Sequence, residues 1–248
     1  MTGDGVNDAP ALKQAEVGVA VANATDVAKA AASLVLTSPG LGNMVAAVQT
    51  SRRIYQRMLT YTLNKIVKTV EIAVLLSVGL MVTGEFVTTP ALIVLLLFPN
   101  DFVTMSIATD RAKPGRLPQR WHIRQLVFAD LVLGGLILLL SFSILFAAWY
   151  GLGLALPQLQ TLIFIMLVFG GQGTVYLVRE HNHFWSSAPG RWLLISSVLD
   201  VCAVSVLAAL GILMAPIPVS LIAATAMAIL LYLVVVDFIK VRVLRRVV

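Results

Sequence analysis

Immediately after its first residue the chain reads Thr2-Gly3-Asp4-Gly5-Val6-Asn7-Asp8-Ala9-Pro10-Ala11-Leu12. Two carboxylates, an amide and two glycines crowded into this stretch describe a tight acidic loop. Its oxygen donors suit Mg²⁺, which takes one or two protein carboxylates and leaves the rest of its shell to water and phosphate. Taken singly, the Gly-Asp-Gly and Asn-Asp pairs are ordinary turn chemistry. The unbroken string is far more specific than its parts.

Outward from the loop, residues 1 to about 57 read as α/β. Val17-Gly18-Val19-Ala20-Val21 and Leu34-Val35-Leu36 are strand-like runs, and Thr25 to Ala32 between them has helix-forming composition. One βαβ step of this size cannot bury a core alone, so more of this domain is expected upstream of Met1. After Pro39-Gly40, Asn43 to Tyr61 reads as a helix carrying Arg52, Arg53 and Arg57 toward a membrane surface.

The remainder is apolar. A mean hydropathy of +0.92, with 59% hydrophobic and 12% charged residues, places the chain among polytopic membrane proteins. Six spans are expected, at about 61–82, 91–109, 126–149, 159–178, 192–213 and 219–238, each close to the roughly 20 residues that cross a bilayer. The net charge of +6 lies between the spans. Arg111, Lys113, Arg116, Arg120 and Arg124 fill one connection and Lys240, Arg242, Arg245 and Arg246 the tail, whereas Gly151 to Gln158 carries no charge. The positive-inside rule then puts both ends of the chain in the cytoplasm. Trp121, Trp149, Trp185 and Trp192 stand near span ends as interfacial anchors. The basic residues lack aromatic interleaving on a soluble face, so no nucleic-acid partner is expected. Cys202 is the single cysteine, which excludes an internal disulfide.

Ionisable groups inside a bilayer mark ion paths by default. The first span carries Lys65, Lys68 and Glu71. The second carries Phe98-Pro99-Asn100-Asp101, with Thr104 one turn beyond Asn100. At 1.5 Å per residue, Glu71 and Asp101 each lie roughly 14–15 Å into their spans and are expected at similar depth. Pro99 lacks an amide hydrogen, and a helix broken there would free carbonyls for a cation. Lys68 and Glu71, three residues apart, can pair. Asp200 can serve as a hydrogen-bonding group in the fifth span. Asp130 and Asp237 lie near cytoplasmic ends, where snorkelling accounts for them. Gly170-Gly171-Gln172-Gly173 reads as a close-packing segment. His122, His181 and His183 carry no assigned chemistry.

The opening string resembles the hinge motif of the P-type ATPases, cation pumps that pass through an aspartyl-phosphate. The resemblance implies a haloacid-dehalogenase-like phosphorylation-domain piece over residues 1–57 and a transmembrane domain over 58–248. The fold class is then a mainly α-helical polytopic membrane protein of six transmembrane helices preceded by a partial α/β segment. It implies Mg²⁺ and ATP as cofactors, with Asp4 and Asp8 as Mg²⁺ ligands, Asn7 beside the phosphate, and Gly3 and Gly5 shaping the loop. The sequence contains no Asp-Lys-Thr-Gly, so the phosphorylated aspartate, the nucleotide-binding domain and the first four helices are expected in a missing N-terminal part. The chain alone is then not expected to be an active enzyme. Arg57-Met58, Tyr61-Thr62, Asn100-Asp101, Asp110-Arg111 and Lys113-Pro114 narrow the resemblance to the plasma-membrane proton-pumping members. Asp101 matches their proton carrier, and Asn100, Glu71, Lys68, Thr104 and Pro99 complete the expected transport site. Two departures, Pro99 for an apolar residue and Glu71 for a basic one, keep open a pump for a metal cation such as Ca²⁺ or Mg²⁺. A non-catalytic membrane remnant or subunit is the other alternative.

Overall fold

The computed structural model describes residues 1–39, 42–113, 123–180 and 182–247. Gly40, Pro114, Arg116, Arg120, Trp121, His122 and His181, which figure in the sequence reading, lie outside them. The chain divides into two compact units, Met1–Arg53 and Ile54–Val248.

In the first unit, β1 (Thr2–Gly3), β2 (Val19–Ala20) and β3 (Leu34–Val35) form a parallel sheet in that order. Thr2 stands opposite Val19, and Val19 opposite Leu34. Helices α1 (Ala9–Gln14) and α2 (Asp26–Ala31) make the two crossovers. Pro10 suits the first turn of α1, where its missing N–H is not needed. Thr25 caps α2 by accepting the Ala28 N–H. Among the described residues the packed core cluster is small: Leu12, Ala20, Ala24 and Ala28, with flanking alanines and Val21. Gly18 is required by close approach, because a Cβ there would strike the Leu12 carbonyl. The sequence reading missed β1, whose two residues lie within the acidic motif itself.

In the second unit six helices are long and apolar enough to cross a membrane. They belong to α3 (Gly42–Thr83), α4 (Pro90–Ser106), α5 (Ile123–Phe146), α6 (Leu156–Val178), α7 (Arg191–Leu210) and α8 (Val219–Val247). The fold class read from the sequence is therefore the observed one. Two local expectations differ. The connecting helix and the first span are one continuous helix of 42 residues, with the division between the units falling inside it. No proline or glycine interrupts it between Asn43 and Val78, so nothing stops it at the expected junction. The other difference is at Pro99, where α4 is not broken: helical backbone continues to Ser106 and ends in a tight turn over Ile107–Thr109. The helix tolerates the proline at the cost of one intrahelical bond.

Helix α6 is the axis of the bundle, buried on nearly all sides from Leu159 to Val178. Its glycines allow this. A Cβ on Gly171 would sit 2.9 Å from Lys68 Nζ of α3, and one on Gly173 would strike Leu233 of α8. Small residues at such crossings let helices approach where lipid offers no hydrophobic drive to associate. The remaining helices each keep an apolar outer face, such as Leu97, Phe98, Phe102 and Met105 on α4.

Candidate functional site

Two sets of polar residues carry chemistry, one in each unit. In the first, the carboxylate of Asp8 turns back on its own loop. Its Oδ2 accepts the N–H of Asp4 at 3.0 Å and of Gly5 at 3.1 Å. The Gly5 N–H, then that of Asp4, hold the Asp8 carboxyl below its ordinary value of 3.8. A Cβ on Gly3 would lie 2.7 Å from Asp8 Cβ, and one on Gly5 would strike Asn7 Oδ1. The glycines are there because the polar side chains fold over them. Asp4 itself is exposed.

This donor set fits Mg²⁺ in a restricted way. Oxygens alone are offered, with no side chain clash from the glycine positions. Among the described residues no group of three or more His, Cys, Asp and Glu is gathered for a metal. A Mg²⁺ ion held by Asp4 and Asp8 therefore needs most of its shell from phosphate and water, as that ion commonly does.

In the membrane bundle the polar residues fall into linked groups. Lys65 of α3 pairs with Asp101 of α4 at 3.2 Å, and both are accessible, with 32% and 61% of their side chains exposed. One turn further along α3, Lys68 pairs with Glu71 at 3.3 Å, and there the exposures are 4% and 1%. Glu71 also accepts a hydrogen bond from Ser141 of α5 at 2.9 Å. Lys68 donates in addition to the Leu167 carbonyl of α6. The pairing expected of Lys68 and Glu71 is thus observed, with a partner, Ser141, that the sequence did not single out.

The expected transport residues are brought together only in part. Asp101 and Glu71 each engage a different lysine. Asn100 joins Lys68, Leu96, Val103, Gly171 and Gln172 around a cavity of about 10 Å³, room for a single water. The Thr104 hydroxyl is bonded to the carbonyls of Asn100 and Asp101 in its own helix, at 2.9 and 3.1 Å. The Pro99 carbonyl accepts the Gln172 amide at 3.4 Å, and that amide also donates to Asp200 at 3.0 Å. The glycine-rich segment around Gln172 therefore combines close packing with a polar link from α4 to α7.

Snorkelling does not account for Asp130 or Asp237. Asp237 is fully buried and accepts Lys240 and His183, each at 2.6 Å, and the Phe184 N–H at 3.1 Å. Asp130 is 2% exposed, and among the described residues neither of its oxygens has a hydrogen-bond partner. Both are buried against neighbouring parts of the bundle and do not extend to its surface. At the same end of the bundle, Asp110 is buried and accepts Arg179 at 3.2 Å and the Gly190 N–H at 2.6 Å. Arg57 donates to its backbone carbonyl at 2.9 Å. Charged residues flanking hydrophobic spans were the visible signal for this network; its partners were not.

Comparison with known proteins follows the same division. Residues 1–46 match a family described as haloacid dehalogenase-like hydrolase. Over 218 residues the chain is 38% identical to "Putative cation-transporting ATPase MJ1226" of Methanocaldococcus jannaschii. That match covers 88% of this chain and 27% of the relative, so the chain spans well under half the length of the protein it matches. The chain is thus similar to a haloacid dehalogenase-like hydrolase at its start and, over most of its length, to part of a relative named as a cation-transporting ATPase.

Proposed function

We propose that this chain is the C-terminal part of a P-type pump that exports protons across the plasma membrane through an aspartyl-phosphate cycle. Residues 1–57 are the end of its phosphorylation domain with the connecting helix, and 58–248 its later membrane helices. Both termini face the cytoplasm, as the basic connections require. The single observation that carries the reading is the intact loop from Thr2 to Leu12, folded with Asp8 over the Asp4 and Gly5 amides.

In this reading Asp4 and Asp8 hold Mg²⁺ against a phosphate whose acceptor aspartate lies elsewhere in the pump. Bound there, Mg²⁺ supplies charge neutralisation at the phosphate. Asp8 orients the loop through the two amides it accepts, Asn7 faces the phosphate side, and Gly3 and Gly5 leave the space both need. ATP is held by the missing part.

Asp101 is the proton carrier. It stands on the exposed face of α4 among Leu97, Phe98, Phe102 and Met105. A carboxylate on such a face is costly in lipid, which supports its being covered by helices of the N-terminal part. Lys65, 3.2 Å away, is its counter-ion. Lys68, Glu71 and Asn100 form the inner wall. Each carboxylate already has an ammonium partner, which supports a proton over a divalent metal as cargo. The test is ATP-driven acidification of everted vesicles carrying the complete protein. Vanadate-sensitive acidification is expected there, and no ATP hydrolysis from the 248 residues alone. Metal uptake without proton movement would overturn the assignment of the ion.

A further inference from the structure

Asp200 lies in the bundle interior and takes no part in the Lys65–Asp101 pair. It is 5% exposed, and among the described residues its partner is Gln172, itself 5% exposed. Gln172 donates both amide hydrogens, one to Asp200 and one to the Pro99 carbonyl. Its Oε1 is left with no donor. Ser197, one turn before Asp200 on α7, is 6% exposed and lies within hydrogen-bonding reach of the Tyr176 hydroxyl. The place where α4, α6 and α7 meet therefore holds more acceptors than donors, and one carboxyl group with no cation.

The neighbouring charged and titratable groups do not remedy this. On α3, Lys68 lines the cavity beside Gln172, but its ammonium is bonded to Glu71 and the Leu167 carbonyl. On α6, the Tyr176 hydroxyl donates to the Leu193 carbonyl at 3.3 Å. On α4, Asp101 is paired with Lys65. A buried carboxylate without a cation is too costly to persist, whereas a carboxylic acid supplies the missing donor and removes the charge.

We propose that Asp200 and Gln172 form a second proton-binding site, with the proton carried on the Asp200 carboxyl. Proton binding here adds one hydrogen to one carboxylate oxygen and needs no other reactant. Gln172 bridges Asp200 to the carbonyl of Pro99, beside Asn100 and Asp101. A displacement of α4 breaks the 3.4 Å bond to Pro99 first and frees the Gln172 amide to follow Asp200 alone, so proton affinity at Asp200 follows the position of α4. That coupling rests on the pump reading; the proton site itself does not.

The test is infrared spectroscopy of the purified chain in lipid nanodiscs near neutral pH, which needs no ATP turnover. The carbonyl band of protonated carboxylic acids is expected to lose a component in Asp200→Asn that survives in Asp130→Asn. Gln172→Leu, which keeps the carboxyl but removes its hydrogen bond, shifts that component to higher frequency and keeps the test open should Asp200→Asn not fold. An Asp200→Asn spectrum equal to the parent in this region, or a Gln172→Leu spectrum without the shift, overturns the proposal. So does a component that appears only when Na⁺ and K⁺ are replaced by a large organic cation, since the site would then hold a metal ion.

Discussion

Lys65–Asp101 and Lys68–Glu71 are the same kind of ion pair, built on lysines one turn apart on α3, in opposite surroundings. The first pair is accessible and joins two helices, and among the described residues Lys65 alone supports its carboxylate. The second is shut inside the bundle, with Ser141 and the Leu167 carbonyl completing its hydrogen bonds. An accessible pair is worth about 0–1 kcal/mol and can be opened cheaply. A buried pair is a poor source of net stability, yet breaking it strands a charge. The difference separates an accessible carboxylate with one partner from a buried one that ties three helices together.

The comparison breaks most readily at Lys68. Lys68→Met should destabilise the bundle by about 3–5 kcal/mol, the cost of a stranded buried charge, and Lys68→Met with Glu71→Leu should recover most of it. Unfolding midpoints in a mild detergent check this; a single substitution costing no more than the double would contradict it. Gly171→Ala comes next, because its Cβ would stand 2.9 Å from the Lys68 ammonium. A loss of about 1–3 kcal/mol is expected by the same measurement. Lys65→Met sharpens the contrast from the other side. Its effect on stability should stay within about 1 kcal/mol.

The smallest effect concerns Asp8, a carboxylate held by backbone amides and no ammonium. Its lowered proton affinity means that the contribution to loop stability is complete above the ordinary value of 3.8 and is lost only as pH falls through the lower folded value. Titration followed by NMR should place the Asp8 midpoint below that of the same residue in a peptide of residues 1–12. Coincident midpoints would remove the Asp4 and Gly5 amides from the account.

The six spans were legible because long apolar runs have few other uses. The acidic motif was legible because its glycines and carboxylates stand in one short string. What the sequence hid was pairing over distance. Lys65 and Asp101 are 36 positions apart and Glu71 and Ser141 are 70 apart, and no periodicity links them. The unbroken path of α4 through Pro99 was hidden too, because proline removes one bond without dictating whether neighbouring helices hold the rest straight. Asp130 and Asp237 looked superficial by their place in the chain, yet the faces they occupy turn inward. Strand β1 escaped notice because two residues of parallel sheet leave no pattern of their own.

The central claim is that Asp101 carries the transported proton while Lys68 and Glu71 hold the frame. The most direct measurement is proton transport by the complete pump with Asp101→Asn, in sealed vesicles supplied with ATP. The account predicts a folded protein that forms no pH gradient. A gradient formed by Asp101→Asn at the parent rate would contradict it.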